Sequence, residues 1–298
     1  MKISIIAPSF QQGRFIEEMI RSVVTQAGPA VELIIIDGGS TDETLDVIRK
    51  YESRIACWIS EPDRGQADAI NKGLRRATGD VVAFFGADDI YADGIFAAVH
   101  EAWKKNPRGI YAAPVANFYS RGREILIRPH DIALENVVQY WQRRSLWHLP
   151  GMFWSRAAIE TVGEMDASLH YAFDYDYVIR ALQHFDVEYM DHVAAGFRLH
   201  RDSKTVSQSE KMMRETAAVS RRYWPLLEKV DREGFARAEH TARVRRGASH
   251  LLRGKRDGFA LLRRALRERP FAAIAQLAWL GPTVLMERLR RFLPTRYL

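Results

Sequence analysis

Val81-Val82-Ala83-Phe84-Phe85-Gly86-Ala87-Asp88-Asp89 carries an apolar run straight into two adjacent carboxylates. The run is short, β-branched and aromatic, and a turn residue closes it, which is the pattern of a strand buried on both faces. Neighbouring carboxylates at the end of such a strand repel one another unless a cation or hydrogen-bond donors compensate them. Hard oxygen ligands at this point suit a magnesium or manganese ion bridging a diphosphate. The plainer reading is a helix N-cap, but Asp93 already serves the helix that follows and leaves Asp88 unexplained.

Upstream, similar runs recur at Ile3–Ala7, Val31–Ile36 and Ala56–Ser60. Helical periodicity fills the intervals at Phe15–Thr25, Glu43–Lys50 and Gln66–Arg76, and Gly94–Lys105 follows the fourth run. Apolar strands alternating with helices predict an α/β fold, a parallel sheet covered on both faces. Ligands of such sheets bind outside the carboxyl ends of the strands, so the residues just after each run carry the chemistry.

The first run ends in Ala7-Pro8-Ser9-Phe10, where proline stops the ladder and opens a loop. The second ends in Asp37-Gly38-Gly39-Ser40-Thr41-Asp42, whose glycines allow close backbone approach. Asp37 there suits a ribose hydroxyl or a base N–H, or it stabilises the turn. After the third run comes Glu61-Pro62-Asp63-Arg64-Gly65-Gln66-Ala67-Asp68-Ala69-Ile70-Asn71-Lys72-Gly73. Asp68 and Lys72 share a helix face four residues apart, either as an exposed ion pair or as readers of nucleotide and pyrophosphate. No G-x-G-x-x-G and no G-x-x-x-x-G-K-[ST] is present, which disfavours a dinucleotide dehydrogenase and a P-loop NTPase.

In this order the segments Pro-Ser-Phe, Asp-Gly-Gly-Ser-Thr-Asp, Glu-Pro-Asp-x-Gly-x-x-Asp-Ala-x-Asn-Lys-Gly and Ala-Asp-Asp resemble the inverting family 2 glycosyltransferases of GT-A fold, across residues 1–204. The resemblance implies a Rossmann-like, mostly parallel sheet flanked by helices, with an α-helical C-terminal appendage. It implies a nucleotide-diphosphate sugar donor, UDP favoured with GDP and dTDP open, held by Pro8, Ser9, Phe10, Asp37, Asp68, Lys72, Ala87 and Asp88. It implies a divalent cofactor, Mn2+ or Mg2+, at Asp88 and Asp89, although Gly86 stands where the family's Asp-x-Asp motif has its first acid. The family's catalytic base falls on Asp174 in Tyr171-Ala172-Phe173-Asp174-Tyr175-Asp176-Tyr177, with Phe173 where many relatives carry an acid. From the residues alone, Asp174 also reads as an N-cap with Asp176 aiding the helix dipole. Arg198–Ser203 resembles an Arg-x-His-x-x-Ser pattern of the family, which implies His200 near the metal; from the residues alone His200 also reads as a satisfied surface histidine.

Residues 110–204 are less regular. Ile110–Phe118 and Glu124–Ile127 flank Ser120-Arg121-Gly122 as a hairpin, Tyr175–His184 reads as a helix and Gly196–Leu199 as a strand. Residues 1–204 are therefore expected to form one catalytic domain, with a nucleotide-sugar half at 1–109 and an acceptor half at 110–204. Trp147, His148 and Trp154 around Pro150-Gly151 form either an aromatic acceptor platform or core. The acceptor class implied is a glycan or a lipid-linked hydroxyl.

Residues 205–298 read as a basic helical region, with 21 Lys/Arg against 9 Asp/Glu, whereas 1–204 carries a net −5. Leu252, Phe259, Leu262 and Leu266 form one stripe, Gly254 and Gly258 mark a break, and Pro270 ends the helix. The tail packs on the catalytic domain with a solvated arginine face, or lies on a membrane surface through Val284, Leu285, Leu289, Phe292 and Leu293. Nucleic acid is not expected, since no recognised module accompanies the charge. Phe271–Met286 is interrupted by Gly281-Pro282 and falls short of the ~20 apolar residues that span a bilayer. The N-terminus has no secretory signal pattern, and the single Cys57, read as buried core, fits a reducing compartment. A cytoplasmic enzyme is expected, at the inner membrane face if the tail binds lipid. The competing classes are a sugar nucleotidyltransferase, which needs a glycine-rich basic loop that Ser9–Arg14 does not supply, and a non-catalytic nucleotide-sugar binder.

Overall fold

The structure, a computed structural model, describes residues 1–26, 30–119, 124–252, 254, 255 and 257–279. The chain divides into two compact units, Met1–Leu227 and Glu228–Leu298.

The first unit opens with strand β1 (Ile3–Ser9), helix α1 (Ile16–Val24), β2 (Val31–Asp37), α2 (Thr44–Lys50), β3 (Cys57–Ser60), α3 (Gln66–Leu74) and β4 (Val81–Phe84). Next come β5 (Ile90–Tyr91), α4 (Ile95–Lys105), β6 (Ile110–Ala112), β7 (Val115–Tyr119), β8 (Glu124–Ile127) and α5 (Leu134–Val138). The unit is completed by β9 (Met152–Ser155), α6 (Arg156–Val162), α7 (Phe173–Ala181), β10 (Val187–Tyr189), β11 (Ala195–Leu199), α8 (Lys204–Ser207) and α9 (Ser209–Tyr223).

A seven-stranded sheet has the order β10-β6-β9-β4-β1-β2-β3, parallel except for β9, which runs antiparallel to both of its neighbours. Side chains alternate across it with the strand period of two. Ile3, Ile5, Ala7, Leu33, Ile35, Val81 and Ala83 share a buried cluster with Ile16, Met19, Ile20 and Val23 of α1. Ile6, Val82, Phe84 and Trp154 share the opposite cluster with Ala67 and Ile70 of α3 and Tyr177 and Val178 of α7. The α1 residues recur at i, i+3, i+4 and i+7, one face of a helix, and each large side chain so buried contributes about 1.5–3 kcal/mol. Because both faces are covered, the central strands are apolar on both, apart from Ser4 and Glu32 near their amino ends and the polar residues that close them.

A smaller sheet, β5-β11-β7-β8, sits beside the first. Ile110–Phe118, expected as one strand, is two strands in two sheets. Pro114 interrupts the run, having no N–H to donate, and its carbonyl accepts from Ala194 N. β7 and β8 pair antiparallel as the expected hairpin, whose turn lies outside the described residues. Cys57 is only partly buried, because β3 is the edge strand. The expected boundary after residue 204 also lies short of the observed one: Ser220 Oγ donates to Val138 O and Tyr223 OH to Asp176 Oδ1, tying α9 into the first unit.

The second unit packs α10 (Arg232–Leu252), α11 (Asp257–Glu268) and α12 (Pro270–Trp279) around Val244, Ala248, Leu251, Leu262, Ala265 and Ala273. Gly254 takes a left-handed φ of +73° between α10 and α11, the break the two glycines foretold. Pro270 starts α12 as well as ending α11, since a first-turn proline loses no intrahelical hydrogen bond. No helix among the described residues is long and apolar enough to cross a membrane. The expected lipid-facing stripe from Val284 to Leu293 lies outside the described residues.

Candidate active site

The carboxyl ends of β1, β2 and β4 lie side by side, and the strand order reverses between β1 and β4, the place where open α/β sheets bind ligands. At the end of β2, Asp37 is fully buried. Its carboxylate accepts from Gly39 N (3.1 Å), Ser40 N (2.8 Å), Ser40 Oγ (2.6 Å) and Ser60 Oγ (2.7 Å). The turn-stabilising reading of Asp37 therefore describes its present bonding. Beside it, Ser9 O accepts from Gly38 N, the Ser9 hydroxyl is buried without a partner among the described residues, and Phe10 is 59% exposed. An apolar ring that open, at a strand's carboxyl end, is available for stacking.

Asp68 and Lys72 also work on their own loop. Asp68 accepts from Arg64 N and the Arg64 guanidinium, which, with burial opposing, hold its carboxyl below the usual range. Lys72 Nζ pairs with Glu61 at 2.7 Å, donates to Pro62 O and stands 4.0 Å from Asp68. The pair thus fastens residues 61–65 to α3.

At the end of β4, Asp88 and Asp89 part company. Asp88 Oδ2 lies 3.0 Å from His200 Nε2. Asp89 turns inward, is 2% exposed, and accepts from Arg198 N at 3.0 Å. Burial and the neighbouring Asp88 push Asp89 well above the usual carboxylate range. Its geometry fits anchoring β11 to the β4 loop. Ala87 is buried against the same turn. Arg198 locks the arrangement, donating to Asp88 O and to Glu18 and lying over the Phe15 and Phe118 rings. The His200 ring lies against Phe15, and its buried Nδ1 has no partner among the described residues. One carboxylate oxygen and one imidazole nitrogen so placed fit two positions of a divalent-cation shell, the remainder falling to water and phosphate oxygens. No group of three or more His, Cys, Asp or Glu among the described residues forms a metal cage on its own.

Asp174 occupies the first turn of α7. Tyr175 N donates to its Oδ1 at 2.7 Å. Burial pushes its pKa up to about 6, against the pull of that N–H and of Lys204. Lys204, held below the usual lysine range by desolvation, lies close enough to feel Asp63, Asp174 and Glu215. The acid missing before Asp174 has a counterpart from elsewhere in the chain. Glu215 on α9 accepts from His170 N (3.1 Å), Tyr171 N (2.5 Å) and Ala172 N (2.7 Å), fixing the backbone that leads into α7. Sequence reasoning missed Glu215 and Lys204, which lie in helical segments with no motif to mark them.

The aromatic platform is only partly present. Trp154 is fully buried, tilted against Phe84 and edge-on to Tyr177, so it is core. His148 meets Phe197 of β11, and burial lowers its pKa to about 4, leaving it a neutral ring.

The profile of glycosyl transferase family 2 matches residues 4–159. A Bacillus subtilis glycosyltransferase named for teichuronic acid biosynthesis, TuaG, is 42% identical over 90 residues, which is 29% of this chain and 36% of that protein. The chain covers 29%, 36% and 38% of the length of three such curated relatives, about a third of each. The crystal structure of S. aureus TarS 1-349 in complex with UDP-GlcNAc superposes with a TM-score of 0.62 at 16% identity, covering 92% of this chain and 82% of TarS. The mannosyltransferase PcManGT of Pyrobaculum calidifontis, in complex with GDP-Man and Mn2+, gives 0.59 at 20% identity, covering 98% and 82%. At these identities the superpositions establish the fold, that of GT-A glycosyltransferases. With its profile match spanning more than half of the sequence, the chain belongs to glycosyl transferase family 2.

Proposed function

We propose that this protein is an inverting glycosyltransferase that moves a sugar from a nucleotide-diphosphate donor, a UDP-sugar, to the hydroxyl of a glycan or lipid-linked acceptor in cell-surface glycan synthesis. One observation carries the reading. The segment from Arg198 to Lys204 touches both halves of the chemistry, with His200 on Asp88 and Lys204 beside Asp174. On this reading one short segment links the leaving-group site to the proton acceptor.

In the reaction the acceptor oxygen bonds to the anomeric carbon as the carbon–oxygen bond to the diphosphate breaks and its electron pair leaves with the diphosphate. The hydroxyl proton passes to Asp174, which must lie within about 3 Å of that oxygen. A carboxyl with a pKa about 6 is ionised at neutral pH and more basic than an ordinary aspartate, as a general base requires. Asp88 and His200 would hold a divalent cation, Mn2+ or Mg2+, whose charge offsets that developing on the departing diphosphate. Asp89 and Arg198 hold those two residues in place. A single displacement forms no covalent sugar–enzyme intermediate. TuaG's name and the donors bound by TarS and PcManGT support the substrate class. Peripheral membrane contact by the C-terminal helices is supported by Phe271 and Ile274 of α12, 87% and 57% exposed.

Asp174→Asn tests the reading. Nucleotide binding should persist while transfer falls about 10²–10⁴-fold. Unimpaired transfer rejects Asp174 as the base.

A further inference from the structure

Four strands end the two sheets, β3 and β10 in the larger, β5 and β8 in the smaller. Of these, among the described residues, only β8 exposes aliphatic side chains at two successive positions, Ile125 at 40% and Leu126 at 43%. Successive strand residues point to opposite faces of a sheet, so the uncovered feature here is the edge itself and not one face. β8 pairs with β7 on one side and, among the described residues, with no strand on the other. Half of its backbone N–H and C=O groups therefore face outward, the template on which a further strand forms.

Proteins ordinarily blunt such an edge with a lysine, a proline or a bulge within the strand. Glu124-Ile125-Leu126-Ile127-Arg128 has none of these: its register with β7 is unbroken and its only charges stand at the two ends, with opposite sign. Both are exposed, and neither joins an ion pair among the described residues. About Leu126 the segment is complementary to itself reversed. Laid antiparallel with Leu126 opposite Leu126, two copies set Glu124 of each against Arg128 of the other, and Ile125 against Ile127 on the opposite face. Opposite charges directly across a strand pair attract, and like charges destabilise it. Parallel pairing in the same place sets like against like, and an antiparallel shift of two residues unpairs both charges.

We propose that β8 is a dimerisation edge whose partner is the β8 of a second copy of this chain, paired antiparallel about a twofold axis at Leu126. The smaller sheets of the two copies then continue as one, each in the order β5-β11-β7-β8 up to the axis. A twofold, self-complementary contact closes on itself and leaves neither β8 edge open. One added strand covers Ile125 and Leu126 on both faces at once, which a helix laid on one face does not. Five strand spacings of ~4.8 Å separate the two β11 strands, so the segments that carry Arg198 and His200 stand ~24 Å apart in one continuous sheet. A single strand pair is small beside the ~1,200–2,000 Å² of a stable complex, so the association is weak, with a Kd of ~1–100 µM.

The test is sedimentation equilibrium of the full chain at low salt, from about 1 to about 200 µM, for the wild type, Glu124→Arg and Arg128→Glu. The wild type should show a monomer–dimer equilibrium in that range. Each reversal turns both symmetry-related attractions into repulsions and should weaken the dimer at least about tenfold; matching melting temperatures establish that both variants fold. Mixed in equal amounts, the two variants present opposite charges at both ends of the strand pair and should associate about as tightly as the wild type. That mutual rescue is specific to antiparallel pairing in this register. A wild type that stays monomeric to about 200 µM, reversals that leave the Kd unmoved, or variants that fail to rescue one another each overturn the assignment.

Discussion

Replacing Asp174 by Asn should make the protein more stable while it destroys transfer. The carboxyl titrates at about 6 in the folded chain against an ordinary 3.8, with burial as the main cause. Above pH 6 the folded chain bears the full cost of a poorly solvated charge, worth at most ~3 kcal/mol. The side chain is partly exposed, and solvent screens part of that cost, so about 1–3 kcal/mol is expected. The sign follows from the order of deprotonation. Below pH about 3 the carboxyl is protonated whether the chain is folded or not, and Asp and Asn are nearly equivalent. As pH rises from there to about 6, the unfolded chain gives up its proton first and unfolding gains. Asparagine keeps the acceptor for Tyr175 N and never ionises. Thermal melts of both proteins at pH 7.5 and pH 4.5 read the effect, at roughly 2–4 °C per kcal/mol for a unit of this size. The variant should melt several degrees higher at pH 7.5, and the gap should shrink to about a third at pH 4.5, where the unfolded carboxyl is still mostly ionised. A variant that melts no higher at pH 7.5, or a gap unchanged in acid, refutes the argument that Asp174 is a desolvated charge. Wild-type transfer should likewise fall tenfold per pH unit below about 6, as one proton returns to the base.

Three further outcomes follow from other parts of the site. Glu215→Ala orphans the N–H groups of residues 170–172 and should cost about 2–3 kcal/mol in denaturant melts. Its kcat should fall with little change in donor KM, and Glu215→Gln should recover part of both losses; a normal kcat would show that Glu215 does not position the base. Asp88→Asn and His200→Ala should each raise the manganese needed for half-maximal transfer by at least about tenfold, and an unmoved titration would remove them from the cation site. Trp154→Ala should destabilise the first unit by about 3–5 kcal/mol, as a core cavity does. A loss below 1 kcal/mol would return Trp154 to the acceptor surface.

The α/β class, the first four strands and the helices between them were legible because buried parallel strands and amphipathic helices write their period directly into the sequence. Asp88 stood out because a carboxylate after a buried strand has no structural excuse. β9 escaped notice: Met152-Phe153-Trp154-Ser155 is too short to show a period, and only its insertion between β4 and β6 makes it a strand. Ile110–Phe118 looked continuous because apolarity carries no information about which sheet a residue joins.

The sequence by itself determined where the strands end and which polar residues stand at those ends, since both follow from short-range periodicity and turn chemistry. Only the tertiary structure decided how those residues divide their work. It filled Asp37 with its own loop, sent Asp89 inward to Arg198 while Asp88 met His200, and brought Glu215 forty-one positions along the chain to the backbone before Asp174. Hydrogen-bond saturation and burial depend on neighbours distant in sequence, and local patterns do not record them.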